Sequence, residues 1–155
     1  MSYVVTGLDP APFRHLYGLT GRELAVHGAV RVIADAKPGY PCRVTLEDAE
    51  PGAAVLLVNH EHLAVDTPYR SCHAIFVAEG AEQPARYIAT IPEQLRLRLL
   101  SVRAFDADDM MIDAEVLDGA ELEAEIGRMF ADPRAAYLHV HNARRGCFAA
   151  RVDRG

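Results

Sequence analysis

Residues 137–153 read YLHVHNARRGCFAARVD, and this stretch decides the fold class that the sequence predicts. Segments 137–142 and 147–153 have the composition of β-strands, and the ARRG turn between them ends on a glycine suited to a left-handed backbone. We therefore predict an antiparallel hairpin. Because side chains in a strand alternate between the two faces of a sheet, His139 and His141 should point to the same side.

The same H-x-H spacing occurs near the middle of the chain. Segments 54–62 and 71–79 are the clearest strands elsewhere in the sequence, and a proline-containing loop joins them. The first segment carries His60 and His62, and the second carries His73. Five of the seven histidines thus fall on predicted strands, which indicates a polar, titratable patch on a sheet.

The rest of the chain alternates short helices with further strands. Predicted strands cover residues 3–8, 29–34, 102–106 and 111–117. Helices are predicted around Phe13 to Tyr17, from the Thr20–Glu23 capping box to Gly28, over Leu95 to Leu100 and after Asp118. Together these elements predict an α+β fold. We expect a single domain over residues 1–155, with a mostly antiparallel sheet and about three helices packed on one side.

Composition and charge restrict the function classes. The chain has 155 residues and a formal net charge of -6, which disfavours binding to nucleic acid or to anionic membranes. Cys42, Cys72 and Cys147 contain no C-x-x-C pair and are odd in number, so neither a disulfide framework nor a zinc knuckle is expected. Without a signal-peptide pattern or a long apolar run, the expected location is cytoplasmic. Exposed strand edges would allow a homodimer.

Five long blocks of sequence occur in order along the chain. They are YPCRVTLEDAEPG (40–52), LLVNHEH (56–62), PYRSCHAIFV (68–77), RAFDADDMM (103–111) and YLHVHNARRGCFAARVDR (137–154). In these blocks the chain resembles a bacterial family called domain of unknown function 1203. The resemblance implies a compact, single-domain bacterial protein, and it transfers no catalytic residue.

A transition-metal site is one hypothesis for the histidines. Alternate residues of a strand lie about 6.5 Å apart on one face, and neutral imidazole is a ligand of zinc and iron. The candidate ligands are His60, His62, His139 and His141. A metal-dependent enzyme would use such an ion to activate water or oxygen. The sequence lacks the continuation of a metallo-β-lactamase or cupin motif, and half-buried histidines with ordinary hydrogen bonds explain the same pattern without a metal.

Anion binding is the second hypothesis. The candidate arginines for anion binding are Arg43, Arg70, Arg103 and Arg151. Three of them, Arg43, Arg70 and Arg151, lie within otherwise apolar, strand-like segments, where a charged side chain usually has a partner. A guanidinium binds a carboxylate or phosphate through two parallel hydrogen bonds. The candidate ligand-binding residues are Arg43, Arg70, His73, His139, His141 and Asn142.

Two other patterns, the cysteines and the arginines of the hairpin tip, are weaker evidence for a functional site. A cysteine nucleophile needs a histidine within hydrogen-bond reach, and the adjacent residues Cys72 and His73 face opposite sides of a strand. Cys147 approaches His139 or His141 only in some strand registers. Arg144 and Arg145 at the hairpin tip are expected to be solvated charges.

The leading hypothesis is therefore a domain that binds a small, anionic molecule in a pocket lined by the histidine-bearing strands. A transition-metal-dependent enzyme is the first alternative, and a non-catalytic structural or protein-interaction domain is the second. The first two require that the mid-chain and C-terminal histidines share one concave surface.

Overall fold

The structure, a computed structural model, describes residues 2–155. Within these residues the chain forms nine β-strands and three α-helices. The strands are β1 (Tyr3–Thr6), β2 (Val30–Ile33), β3 (Ala54–Leu63), β4 (Ser71–Ala78), β5 (Arg86–Ile88), β6 (Leu99–Phe105), β7 (Met111–Asp118), β8 (Tyr137–Asn142) and β9 (Phe148–Arg154). The helices are α1 (Gly21–Val26), α2 (Glu93–Arg96) and α3 (Leu122–Phe130), and short 3-10 helices lie at Arg14–Leu16 and Gly119–Glu121.

The strands are divided between two antiparallel sheets. The larger sheet has the order β5-β1-β9-β8-β6-β7, and the smaller one has the order β2-β3-β4. The predicted β8–β9 hairpin is present in the larger sheet, where β6 and β7, which correspond to the predicted strands 102–106 and 111–117, also pair. β3 pairs with β4 in the smaller sheet. The α+β class and the mostly antiparallel pairing predicted from the sequence are therefore confirmed.

The central strands of the larger sheet separate an apolar face from a polar one. Val102 of β6 pairs with Val140 of β8, which pairs with Ala150 of β9, and all three are buried. The same core contains Leu122, Ile126, Met129 and Phe130 of α3. In the next row, Arg103 of β6 pairs with His139 of β8. Because side chains alternate along a strand, Arg103 and His139 lie on the face opposite α3.

The smaller sheet has a separate core, so the helices are shared between the two sheets rather than packed on one side. That core includes Leu24 of α1, Leu56 and Val58 of β3, and Ile75 and Val77 of β4. α1 begins at the predicted capping box, in which Thr20 and Glu23 each accept a hydrogen bond from the other's backbone amide. A third cluster of Leu63, Phe105 and Tyr137 joins the end of β3 to the larger sheet.

Two local predictions are corrected. The helix predicted over Leu95 to Leu100 ends at Arg96, and β6 begins at Leu99, because pairing with β7 and β8 outweighs the local helix signal. Phe13 precedes only a short 3-10 helix, and β5 was not predicted at all. None of the helices within residues 2–155 is long and apolar enough to cross a membrane.

Candidate functional site

Three histidine rings meet where the end of β3 approaches the polar face of the larger sheet. The ring centroid of His62 lies 4.9 Å from that of His141 and 6.1 Å from that of His139. Phe148 of β9 lies beneath them, parallel to His62 at 5.2 Å and edge-on to His139 at 4.9 Å. The mid-chain strand and the C-terminal hairpin thus contribute side chains to one place.

Burial keeps these rings uncharged at neutral pH. His139 and His141 are 3% and 2% exposed, and their burial lowers the pKa of each to about 3. Burial is also the main reason that the pKa of His62 is lowered to about 4. All three values lie well below 7, so each ring is a neutral imidazole with one N–H donor and one acceptor nitrogen.

Hydrogen bonds define which nitrogen is protonated on two of the rings. Nδ1 of His141 lies 3.0 Å from the carbonyl oxygen of Gly146, which only accepts, so Nδ1 carries the hydrogen and Nε2 is an acceptor without a partner within residues 2–155. The hydroxyl of Ser71 donates its one hydrogen to the Tyr69 carbonyl at 3.0 Å. Nε2 of His62, 3.0 Å from the Ser71 oxygen, is therefore the donor of that pair.

Arg103 adds a positive charge beside these neutral rings. Its charge is one cause of the lowered pKa of His62, His139 and His141. The only side-chain hydrogen bond of Arg103 within residues 2–155 is a 3.3 Å contact with the Ser101 hydroxyl. Burial lowers the pKa of the half-buried guanidinium, and no carboxylate of residues 2–155 forms a hydrogen bond or ion pair with it. A cation in such a position is stabilised by an anionic partner.

These side chains line a cavity of about 250 Å³, which we call the histidine cavity. It lies between strands β6 and β8 and the loop that joins β3 to β4. Leu63, Tyr69, Phe105 and Met111 form its apolar walls. His139 lines it with Nδ1 buried and, within the described chain, unpartnered, so Nε2 is the ring nitrogen able to reach the cavity. The arrangement combines one cation, neutral imidazoles and apolar walls.

Three of the four predicted metal ligands, His62, His139 and His141, come together, and the fourth, His60, lies apart from them. The ring of His60 packs edge-on against Phe13 at 5.5 Å, and the pairing of β3 with β4 is irregular between His60 and Leu63. Among residues 2–155, no group of three or more His, Cys, Asp or Glu side chains is arranged to hold a metal ion. The zinc or iron site predicted from His60, His62, His139 and His141 is therefore not supported by the positions of its donors.

Arg70 lines the histidine cavity, but its guanidinium already has partners. It bonds to the carboxylates of Glu61 and Asp66 and to the backbone carbonyl of Val65. These groups neutralise its charge at an exposed position. Arg70 is thus available to a ligand only at the expense of existing ion pairs.

A second cavity of about 870 Å³, which we call the arginine cavity, lies between the segment 35–43, β4 and the tip of the β8–β9 hairpin. It divides the predicted ligand residues into two groups. Arg70, His139 and His141 line the histidine cavity, and Arg43, His73 and Asn142 line the arginine cavity. Arg43 is 1% exposed and donates to the Phe148 carbonyl at 2.8 Å and to Cys147 Sγ at 3.0 Å, so it is primarily a structural residue.

Residues 39–154 match the sequence profile of a family described as a protein of unknown function, DUF1203. The chain belongs to the DUF1203 family. The predicted resemblance is confirmed over residues 39–154. All residues that line the histidine cavity lie within the matched range 39–154. The residues that line the arginine cavity also lie within it, except Asp35 and Ala36. No curated protein and no solved structure matches the chain.

Several residues of the histidine cavity in this DUF1203 chain had no assigned role in the sequence analysis. Tyr69 and Phe105 were not singled out, and Arg103 was not separated from the other arginines. A signal was present for Phe105, which lies two positions after Arg103 on a predicted strand and so faces the same side. The position of Phe148 opposite His141 depends on the β8–β9 register, which the sequence does not specify.

Proposed function

We propose that the protein binds a small monocarboxylate in the histidine cavity and that Arg103 recognises the carboxylate. The observation that carries this proposal is the half-buried guanidinium of Arg103, which has no acidic partner within residues 2–155. A guanidinium holds a carboxylate through two parallel, charge-assisted hydrogen bonds. One unpaired cation matches one negative charge, and a cavity of about 250 Å³ suits a small organic acid.

The free acceptor on His141 adds a second requirement. Because Nδ1–H is used by the Gly146 carbonyl, Nε2 is able to accept a hydrogen bond from the ligand. A hydroxyl beside the carboxylate supplies that donor, and the apolar walls formed by Leu63 and Met111 suit a short hydrocarbon part. Small hydroxycarboxylates such as glycolate and lactate therefore fit the site better than acetate and propionate.

Isothermal titration calorimetry at pH 7.5 with glycolate, lactate, acetate and propionate tests this proposal. We expect a hydroxycarboxylate to bind about tenfold more tightly than its counterpart without the hydroxyl, since the latter offers the Nε2 acceptor of His141 no donor. Arg103→Gln should weaken binding of the preferred acid by about tenfold or more, because it removes the charge-assisted hydrogen bonds. Arg103→Lys should be intermediate, since lysine keeps the charge but not the planar fork.

The matched control is Arg22→Gln, which removes one exposed positive charge from α1, outside both cavities. This variant should bind like the wild type, and thermal unfolding of each variant checks that it is folded. If none of the four acids binds, or if Arg103→Gln binds them as tightly as the wild type, the proposal is wrong. In that case a structural or protein-interaction role becomes the better hypothesis.

A further inference from the structure

The arginine cavity is a second site, separate from the histidine cavity. Its volume of about 870 Å³ is within the range of cavities that hold small organic ligands. No residue lines both cavities. A small carboxylate bound beside Arg103 therefore leaves the function of the larger cavity unexplained.

Four arginines and two aspartates line this cavity, and two of the arginines have no partner within residues 2–155. Asp35 accepts a hydrogen bond from the Tyr40 hydroxyl at 2.9 Å, and Asp118 accepts one from the Ala120 amide at 3.0 Å. Of its four lining arginines, Arg98 is bound to the Asp48 carboxylate by hydrogen bonds of 2.6 and 3.0 Å, and Arg43 donates to backbone carbonyls and a cysteine. Arg144 and Arg145, at the hairpin tip, make no side-chain hydrogen bond or ion pair with the described part of the chain. Two free guanidiniums match a dianion better than a single carboxylate.

An apolar and aromatic surface lies beside these charges. The rings of Tyr40 and Phe76 line the cavity with their centroids 5.4 Å apart and their planes tilted by 56°. The Tyr40 hydroxyl donates to the Asp35 carboxylate at 2.9 Å, and Arg145 of the hairpin tip lines the same cavity. Leu97 and Leu99, which are 57% and 42% exposed, continue the apolar lining. This surface suits a flat ring.

Asn142 adds a hydrogen-bonding group at the same cavity. Its Nδ2 donates to Cys147 Sγ at 3.6 Å, which orients the amide. Its Oδ1 has no hydrogen-bond partner within residues 2–155. That oxygen is buried, so a ligand with a hydroxyl or amino donor would reach it only when the Asn142 side chain turns toward the cavity.

We propose that the arginine cavity binds a phosphate monoester attached to a flat ring system, which is the chemistry of a nucleoside monophosphate. The phosphate, with a charge of about -1.5 to -2 at neutral pH, lies between Arg144 and Arg145. The ring packs against Tyr40 and Phe76, and a hydroxyl or amino group faces Asn142. This site is independent of the carboxylate site beside Arg103.

Calorimetric titration of the full chain with AMP, GMP, CMP and UMP tests the proposal, with adenosine and inorganic phosphate as partial ligands. At about 0.15 M salt, where charges are screened beyond roughly 8 Å, at least one nucleotide should bind with submillimolar affinity. Inorganic phosphate alone should bind about tenfold more weakly or worse, because it lacks the stacking surface. The double substitution Arg144→Gln/Arg145→Gln should weaken nucleotide binding by about tenfold or more, since it removes the charge-assisted hydrogen bonds to phosphate.

The matched control is Arg22→Gln/Arg86→Gln, which removes the same charge from two exposed positions outside the cavity. This control and Arg103→Gln should keep wild-type nucleotide affinity, so failure here is distinguishable from failure of the carboxylate site. Arg144 and Arg145 are exposed, and unchanged melting temperatures would show that the variants are folded. The proposal is overturned if no nucleotide binds, if the Arg144/Arg145 variant binds normally, or if phosphate alone binds as tightly as the nucleotides.

Discussion

The free energy of unfolding should fall steeply between about pH 7 and pH 5, mainly because of the three histidines of the histidine cavity. Burial is the largest cause and the charge of Arg103 adds to it, and together they lower the native pKa to about 4 for His62 and to about 3 for His139 and His141. The unfolded value is about 6.5. Below that pH the unfolded chain binds protons that the native state does not, so stability is lost until the native pKa values are reached.

The size of this effect follows from the same values. A histidine that stays neutral in the native state costs about 2 kcal/mol at pH 5 relative to neutral pH. Three such groups give roughly 4 to 6 kcal/mol, the lower figure allowing for the partial exposure of His62. That loss is comparable to the whole stability of a typical domain, so we expect the protein to be close to unfolding at pH 5.

Urea unfolding at a series of pH values measures this loss directly. His139→Gln and His141→Gln each remove a titrating group, so each should reduce the loss between pH 7 and pH 5 by about 2 kcal/mol, whatever its effect at neutral pH. The control is His27→Gln, because His27 is exposed and lies outside the cavity. Variants at His139 and His141 that lose as much stability as the wild type would contradict the explanation.

The sequence predicted the regular parts of the site well, because periodicity alone determines them. β8 is an uninterrupted strand, so the two-residue spacing of His139 and His141 places both rings on one face, as expected. The adjacent residue Asn142 belongs to the opposite face by the same rule, and it lines the other cavity. The alternation of side chains along β8 therefore predicts that Asn142 lies on a different face from His139 and His141, although it does not predict the two cavities themselves.

The irregular parts of the site were not predictable from local pattern. The bulge near the end of β3 separates His60 from His62, and a bulge depends on tertiary contacts as well as on sequence. The special position of Arg103 also depends on long-range contacts. Ion pairs with carboxylates are formed by Arg70, Arg98 and Arg151. Arg103 forms no such pair within residues 2–155, and this difference is visible only in the folded structure.

Arg43→Ala should lower the free energy of unfolding by about 3 kcal/mol or more, because it creates a large buried void and removes several hydrogen bonds. The Arg43 side chain is 1% exposed and joins the segment before β3 to the start of β9 through the Phe148 carbonyl and Cys147. Its backbone amide also donates to the Phe76 carbonyl of β4 at 3.0 Å. Chemical unfolding at pH 7 measures the change.

Arg43→Met separates the two causes of that loss. Methionine fills most of the void and removes a buried charge that has no carboxylate partner in the described chain, but it leaves the Phe148 carbonyl without its donor. The methionine variant should therefore lie between the wild type and Arg43→Ala. As a control, Arg134→Ala breaks an exposed ion pair with Asp132 and should change stability by less than about 1 kcal/mol. An alanine variant at Arg43 as stable as this control would show that the buried guanidinium does not hold the two segments together.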